Sequence, residues 1–108
     1  MRRLVLGSLL LLAAPAWAEV PEMGSDATCA GLAQDLDRPE LLPRCLTDEA
    51  AAKVRLEEHW DALPLDIAGG CTAAVLDQGP GSYQILFICI EDGLQAAAFP
   101  SPFAPEAP

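Results

Sequence analysis

The chain has 108 residues, of which sixteen are acidic and six are basic, giving a formal net charge of −10 at pH 7. Nucleic acids and anionic membrane surfaces are poor partners for such a chain, because their negative charge repels it. A basic protein partner is compatible with this charge. A single domain of this size buries only about 60–65% of its unfolded surface, so covalent cross-links would add noticeably to its stability.

The first residues have the three parts of a cleavable export signal. Two arginines precede the apolar run 4–14, and residues 16–18 read Ala-Trp-Ala, the A-x-A form of a cleavage site. The run is about half of the roughly 20 residues that a membrane-spanning helix needs, and no later segment approaches that length. We therefore predict cleavage after Ala18 and a soluble periplasmic or secreted protein. Its charge would be −12, from four basic and sixteen acidic groups.

The composition changes at both ends of the mature chain. Residues 19–25 contain proline and glycine and predict a flexible lead-in. Residues 96–108 contain four prolines among small residues, which predicts an extended, disordered tail. The folded domain is predicted to span 26–95.

The first predicted helix is short. Ser25 or Asp26 can cap it, and it would end near Asp35. Cys29 and Leu32 would then lie on one side of this helix.

The clearest predicted helix follows a connection at 37–44, where two prolines interrupt helical structure. Thr47 is a good N-cap with two acidic residues after it, and Pro64 forces the helix to end just before it. Apolar residues recur at helical spacing and form its buried stripe: Ala52, Leu56, Trp60 and Leu63. We expect Leu56 and Trp60 to be core anchors.

The last predicted element has two interpretations. Residues 82–93 are rich in strand-forming residues and follow the breaker Gly-Pro-Gly at 79–81. As a helix, the segment places most of its polar residues near one face; as a strand, it pairs with 71–77 in a hairpin. Both interpretations fold the chain back near residue 80. Cys71 can therefore face Cys89 in either case.

The cysteines indicate a disulfide framework, because all four follow the export signal. The fold-back favours Cys71 with Cys89, which leaves Cys29 with Cys45. Such a bridge would contribute about 3 kcal/mol through loop entropy. Four cysteines allow three connectivities, and the sequence alone does not exclude the others. The cysteines are widely spaced and lack a C-x-x-C pair, so we expect no redox centre, metal or other cofactor.

A set of spaced residues resembles a known signature. It consists of Trp60, Cys71, the pair Ser82 and Tyr83, then Leu86 and Cys89. This spacing is similar to that of a family of small exported bacterial proteins of uncharacterised function, and the resemblance covers roughly 45–92. It implies an all-helical, disulfide-bonded fold and no known catalytic residue. We also place Tyr83 and Leu86 among the core anchors, although the residues around Tyr83 leave both a core and a surface position open to it.

The resemblance favours the helical interpretation of the last segment. We predict an all-α protein, a small disulfide-stapled bundle of three to four short helices. The alternative is a helix plus a β-hairpin at 71–90.

Two polar residues are candidates for reactive groups. His59 is the single histidine and has acidic neighbours, but a solvated acidic helix face is favoured over catalysis or a cation site at Glu57 and Asp61. Ser82 follows a glycine but lacks the G-x-S-x-G context of a nucleophile, and it is better used as a helix N-cap. We predict no catalytic residue.

The sequence favours a non-catalytic interaction or accessory protein whose acidic surface directs it to a basic periplasmic partner. The alternative is a small ligand-binding module or enzyme with a pocket between helices. An exposed apolar patch rimmed by acids would favour the first class, and polar groups converging inside a pocket would favour the second. Nothing in the sequence indicates an oligomeric state.

Overall fold

A computed structural model describes residues 19–104, which form four α-helices and no strand. The helices are α1 (Ser25–Asp35), α2 (Leu41–His59), α3 (Leu65–Asp77) and α4 (Tyr83–Ala96), and a 3₁₀ turn (Trp60–Ala62) follows α2. The all-α prediction is confirmed, and the alternative hairpin is wrong. The predicted signal at 1–18 and the end of the predicted tail at 105–108 lie outside the described residues. Within the described part of the chain, no helix is long and apolar enough to cross a membrane.

Helix α1 lies where the sequence predicts it, but its cap and its faces differ. Gly24 is the N-cap and provides no side-chain bond, while the Ser25 hydroxyl donates to Glu49. Cys29 is fully buried, whereas the side chain of Leu32 is 44% exposed. The buried face of α1 runs instead through Cys29 and Ala33, one turn apart, and Leu32 lies at the edge of this face.

Helix α2 begins at Leu41, six residues before the predicted cap at Thr47. Pro43 lies in its first turn, where backbone N–H groups have no partner within the helix, so proline removes no hydrogen bond there. The predicted connection at 37–44 is therefore wrong in its second half. Thr47 lies within the helix and is exposed.

Each disulfide joins two consecutive helices. Cys29 is bonded to Cys45 between α1 and α2, and Cys71 is bonded to Cys89 between α3 and α4. The Cα atoms are 5.6 and 5.7 Å apart. The pairing favoured by the sequence is confirmed.

Helix α4 packs against both α2 and α3 and supplies the centre of the core. The four residues expected as core anchors are all buried: Leu56, Trp60, Tyr83 and Leu86. Ile90 and Leu94 continue the buried face of α4.

The segments outside the helices also pack on the domain. Met23, within the predicted flexible lead-in at 19–25, is buried, and its backbone N–H donates to the Tyr83 hydroxyl at 3.2 Å. Phe103, within the predicted disordered tail at 96–108, is also buried. The expectation of flexible ends does not hold for these two residues. Proline and glycine content predicts a flexible backbone, but burial of a single large apolar side chain is favourable enough to fix such a segment on the domain.

Candidate functional site

The carboxylate of Glu49 is the centre of a buried polar cluster. Glu49 lies on α2 and is 1% exposed, the lowest exposure of any charged residue described. Its oxygens accept hydrogen bonds from the Ser25 hydroxyl at 2.5 Å, the Ser82 hydroxyl at 2.5 Å and the Tyr83 backbone N–H at 2.8 Å. They also accept from the backbone N–H and side-chain amide of Gln84, at 3.1 and 3.0 Å. One carboxylate therefore links α1, α2 and the start of α4.

The position of Glu49 at the N-terminus of α4 explains how a buried charge is accommodated. The first N–H groups of a helix lack partners within the helix and carry partial positive charge, so they favour an anion. Burial alone raises the pKa of the Glu49 carboxyl, but the bonds from Ser25, Ser82 and the backbone of Tyr83 and Gln84 outweigh burial and hold that pKa below its usual range. Glu49 is therefore a fixed negative charge at neutral pH.

Ser82 is the N-cap of α4, as the sequence predicts. Its hydroxyl accepts from the backbone N–H of Ile85 at 3.2 Å while it donates to Glu49. Because the hydroxyl both donates and accepts a hydrogen bond, its role is to cap α4 and to bind Glu49.

The turn at 79–81 is bound to the start of α1. The backbone N–H of Gly24 donates to the carbonyl of Pro80 at 2.7 Å, and the Thr28 hydroxyl donates to the carbonyl of Gly81 at 2.6 Å. A Cβ on Gly24 would come within 2.9 Å of Pro80. Gly81 has φ +95°, which favours glycine, and a Cβ there would come within 2.5 Å of the Met23 sulfur.

An open cleft of about 390 Å³ lies beside this turn, between α1, α3 and α4. It is lined by Thr28, Ala74, Val75, Gln78, Gly79, Pro80, Gly81, Ser82, Ile85 and Cys89. None of these residues is ionised at neutral pH, and the hydroxyls of Thr28 and Ser82 are engaged in the bonds above. Ile85, with 54% of its surface exposed, forms an apolar edge of the cleft. The lining is therefore suited to an apolar group.

The walls of the cleft carry charge of one sign. Helices α1, α3 and α4 and the turn between the last two contain no lysine, arginine or histidine. They contain six carboxylates, at Asp26, Asp35, Asp66, Asp77, Glu91 and Asp92. All four basic residues of the described chain lie between Arg38 and Arg55. The apolar cleft thus lies in the acidic part of the domain.

The surroundings of His59 differ from an open acidic face. The His59 ring meets the Phe103 ring edge-on with centroids 5.4 Å apart. Its acidic neighbours Glu57 and Asp61 are exposed, and the described residues contain no group of three or more potential metal ligands. His59 therefore contributes an aromatic contact to the packing of the tail.

Sequence reasoning missed the role of Glu49, although a signal for it exists. Glu49 lies three and seven residues before Ala52 and Leu56, so it belongs to the same helical stripe. Extending that stripe backwards through Glu49 to Cys45 would have marked a carboxylate on the buried face. The expected N-cap at Thr47 hid this pattern, because it excluded Cys45 from the helix and gave Glu49 the role of a charge in the first turn.

Fold and cleft together define a small disulfide-stapled all-α protein with an apolar cleft in an acidic face. No family model, no curated protein and no solved structure matches the chain. The role of the cleft is therefore inferred from its own residues.

Proposed function

We propose that this is a non-catalytic interaction protein of the periplasm that binds a basic partner protein through the cleft between α1, α3 and α4. An apolar side chain of the partner fills the cleft, and lysine or arginine residues beside it face the acidic walls. The observation that carries the proposal is the coincidence of an open apolar cleft with walls that contain carboxylates and no cation.

The size and shape of the cleft support a side chain as its occupant. At about 390 Å³ it lies near the lower end of the range for small-molecule pockets, and it is open to solvent. An open cleft buries only part of a free ligand, whereas a partner protein covers the opening with its own surface.

The apolar rim supports the same interpretation. Ile85 is 54% exposed at the edge, and Leu76, which is 41% exposed, lies against Gly81 in the lining. Single exposed aliphatic residues are common on protein surfaces, so these two support the proposal through their position beside one cleft.

The charge of the walls supports a basic partner. Opposite charges around an apolar contact accelerate encounter and reject partners of the wrong sign, while the apolar anchor supplies most of the affinity. Two disulfides in so short a chain are compatible with an oxidising compartment, and the export signal in the sequence supports the periplasm.

Affinity capture with matched variants tests the proposal. Ile85→Ser removes the apolar edge of the cleft, and Val54→Ser makes a similar change at a site on α2 that is 50% exposed and outside the cleft. We expect the unaltered chain and Val54→Ser to retain the same basic protein from a periplasmic extract at low salt, and Ile85→Ser to lose it. Failure to retain a specific protein, or equal retention by both variants, would contradict the proposal.

A further inference from the structure

The side chain of Phe103 occupies a second site, on the opposite side of α4 from the cleft. We call this site the aromatic socket and define it by Arg55, His59 and Phe87. The Phe103 ring lies 4.8 Å from the Phe87 ring and 5.4 Å from the His59 ring, edge-on in both cases. The Arg55 guanidinium lies 4.6 Å from the centre of the Phe87 ring and 6.0 Å from that of Phe103. Phe103 is only 5% exposed.

The aromatic socket also contacts the backbone of its occupant. Arg55 donates to the Phe103 carbonyl oxygen at 3.0 Å. A phenylalanine ring and the carbonyl of the same residue are features that any peptide with an aromatic residue presents. The contact is therefore of the kind by which a protein recognises a short peptide segment that carries an aromatic residue.

Phe103 fills only one end of a longer groove between α2 and α4. The adjoining part is an open cleft of about 340 Å³. It is lined by Asp48, Ala51, Ala52, Arg55, Gln84, Phe87 and Ile88. Two members of the aromatic socket, Arg55 and Phe87, thus also line the open part. Ile88, 58% exposed, presents an aliphatic surface there.

The segment that carries Phe103 forms a turn rather than a helix. Beyond α4, Ala98 has φ +55°, and the Phe99 N–H donates to the Leu94 carbonyl at 2.9 Å. The Phe103 N–H then donates to the Ser101 hydroxyl at 3.2 Å, and the Ala104 N–H donates to the Ser101 carbonyl at 3.4 Å. The Phe103 ring and the bond from Arg55 hold this turn on the domain.

We propose that the aromatic socket is a binding site for an aromatic side chain of a partner protein, and that Phe103 is its intramolecular competitor. The partner segment presents a phenylalanine on a turn like that of residues 101–104, and places an aliphatic side chain in the open part of the groove beside Ile88. The tether gives Phe103 an effective concentration of about 1 mM, which a partner overcomes through the additional contacts in the open part.

A synthetic peptide with the sequence of residues 97–104 is the probe, because its fit to the site is known. Fluorescence anisotropy of the peptide, labelled at its N-terminus, reports its binding to the full chain. We expect the variant Phe103→Leu to bind the peptide and the unaltered chain to bind it about tenfold more weakly, since the tether competes. Phe99→Leu makes the same change at a residue of the tail that is 41% exposed and should behave like the unaltered chain.

Two results would overturn the inference. One is an unaltered chain that does not bind the labelled peptide at concentrations far above those that saturate Phe103→Leu, which means that Phe103 never leaves the socket. The other is equal affinity for both chains, which means that Phe103 does not compete. A peptide with serine in place of its last phenylalanine should not bind. If Phe103→Leu loses its helical circular dichroism, Phe103→Met, which keeps a large apolar side chain, takes its place.

Discussion

A buried carboxylate is stable only when its oxygens are fully hydrogen-bonded. Glu49 meets this condition because its oxygens accept five hydrogen bonds. Its donors come from the start of α1 and from the first turn of α4. The removal of this one charge would leave several buried donors without an acceptor. Glu49 is therefore the residue that joins the start of α1 to the start of α4, next to the turn at 79–81.

The substitution Glu49→Gln should lower the free energy of unfolding by about 2 kcal/mol at pH 7, because bonds to a charged acceptor become bonds to a neutral one and the new amide hydrogens face other donors. Urea denaturation followed by circular dichroism measures the change. The matched control is Asp48→Asn, an exposed neighbour on the same helix, for which a change within about 0.5 kcal/mol is expected. Equal losses for both variants would show that the bonds to Glu49 contribute no more than an exposed charge.

The same residue predicts a pH dependence. The pKa of Glu49 is lower in the folded chain than in the unfolded chain, so the unfolded state binds a proton more readily. The stability that Glu49 provides is thus present above the unfolded value of about 4.3 and is lost as pH falls through the folded pKa. We expect the stability difference between the unaltered chain and Glu49→Gln to shrink between about pH 5 and pH 3. A difference that stays constant across this interval in urea titrations would contradict the assignment.

The helices show which parts of the fold can be predicted from the sequence. The end of α1 at Asp35, the cap of α4 at Ser82 and the stop before Pro64 follow from local chemistry, and the structure agrees with each. The start of α2 does not follow, because Pro43 is a breaker within a helix but harmless in its first turn. Composition marks breakers without marking where in a helix they fall.

Less of the candidate site than of the fold could be predicted from the sequence. The four cysteines and the fold-back near residue 80 predict that α3 and α4 are joined, and the disulfide between Cys71 and Cys89 agrees. The cleft arises from how α1 meets the turn at 79–81, through bonds between residues more than fifty positions apart. Burial of Phe103 likewise depends on a distant pair of helices. Such long-range contacts leave no periodic trace in a single sequence.

The two disulfides should contribute similarly to stability and differently to the cleft. Each closes a loop of similar length, with sequence separations of 16 and 18, so replacing either pair by alanine should lower the free energy of unfolding by about 3 kcal/mol. Cys89 lines the cleft, whereas Cys29 and Cys45 do not. We expect the variant lacking the bond between Cys71 and Cys89 to lose the captured partner. The variant lacking the other bond should keep it.

Urea denaturation and capture at a temperature where both variants remain folded separate these effects. Loss of the partner from both variants would indicate that capture depends on general rigidity. Retention by both would indicate that the cleft does not need the bond between α3 and α4.

At the scale of the whole molecule, the separation of charge along the chain decides how a partner approaches. Basic residues of the described chain are confined to the stretch from Arg38 to Arg55, and Lys53 and Arg55 reach α4 at Tyr83 and Phe87, away from the cleft. The helices and the turn that border the cleft carry carboxylates as their only charged side chains. Charge interactions at a surface are screened over about 8 Å at physiological ionic strength, so carboxylates beside the cleft act on a docking partner more strongly than distant ones.

Neutralising the acidic groups nearest the cleft should therefore slow association with the captured partner. Asp77 adjoins Gln78 in the lining, and Asp92 lies one turn beyond Cys89. We expect the double variant Asp77→Asn, Asp92→Asn to lower the association rate about tenfold at low salt and to leave the dissociation rate nearly unchanged, because charges at the rim act on encounter. Surface plasmon resonance over a series of salt concentrations measures both rates. The effect should fade as the salt concentration rises.

The control is a double variant that removes the same number of negative charges from α2. Glu57→Gln with Glu58→Gln removes two exposed carboxylates that do not line the cleft. A smaller decrease for this pair would mean that the acidic walls orient the partner toward the apolar edge at Ile85. Equal decreases would mean that the total charge alone attracts the partner, and the association rate would then not depend on which face carries the charge. Steering toward a particular face requires acidic and basic residues to lie on different elements. In the described part of this chain the basic residues lie on α2 and the segment before it, whereas α1, α3 and α4 carry acidic residues alone.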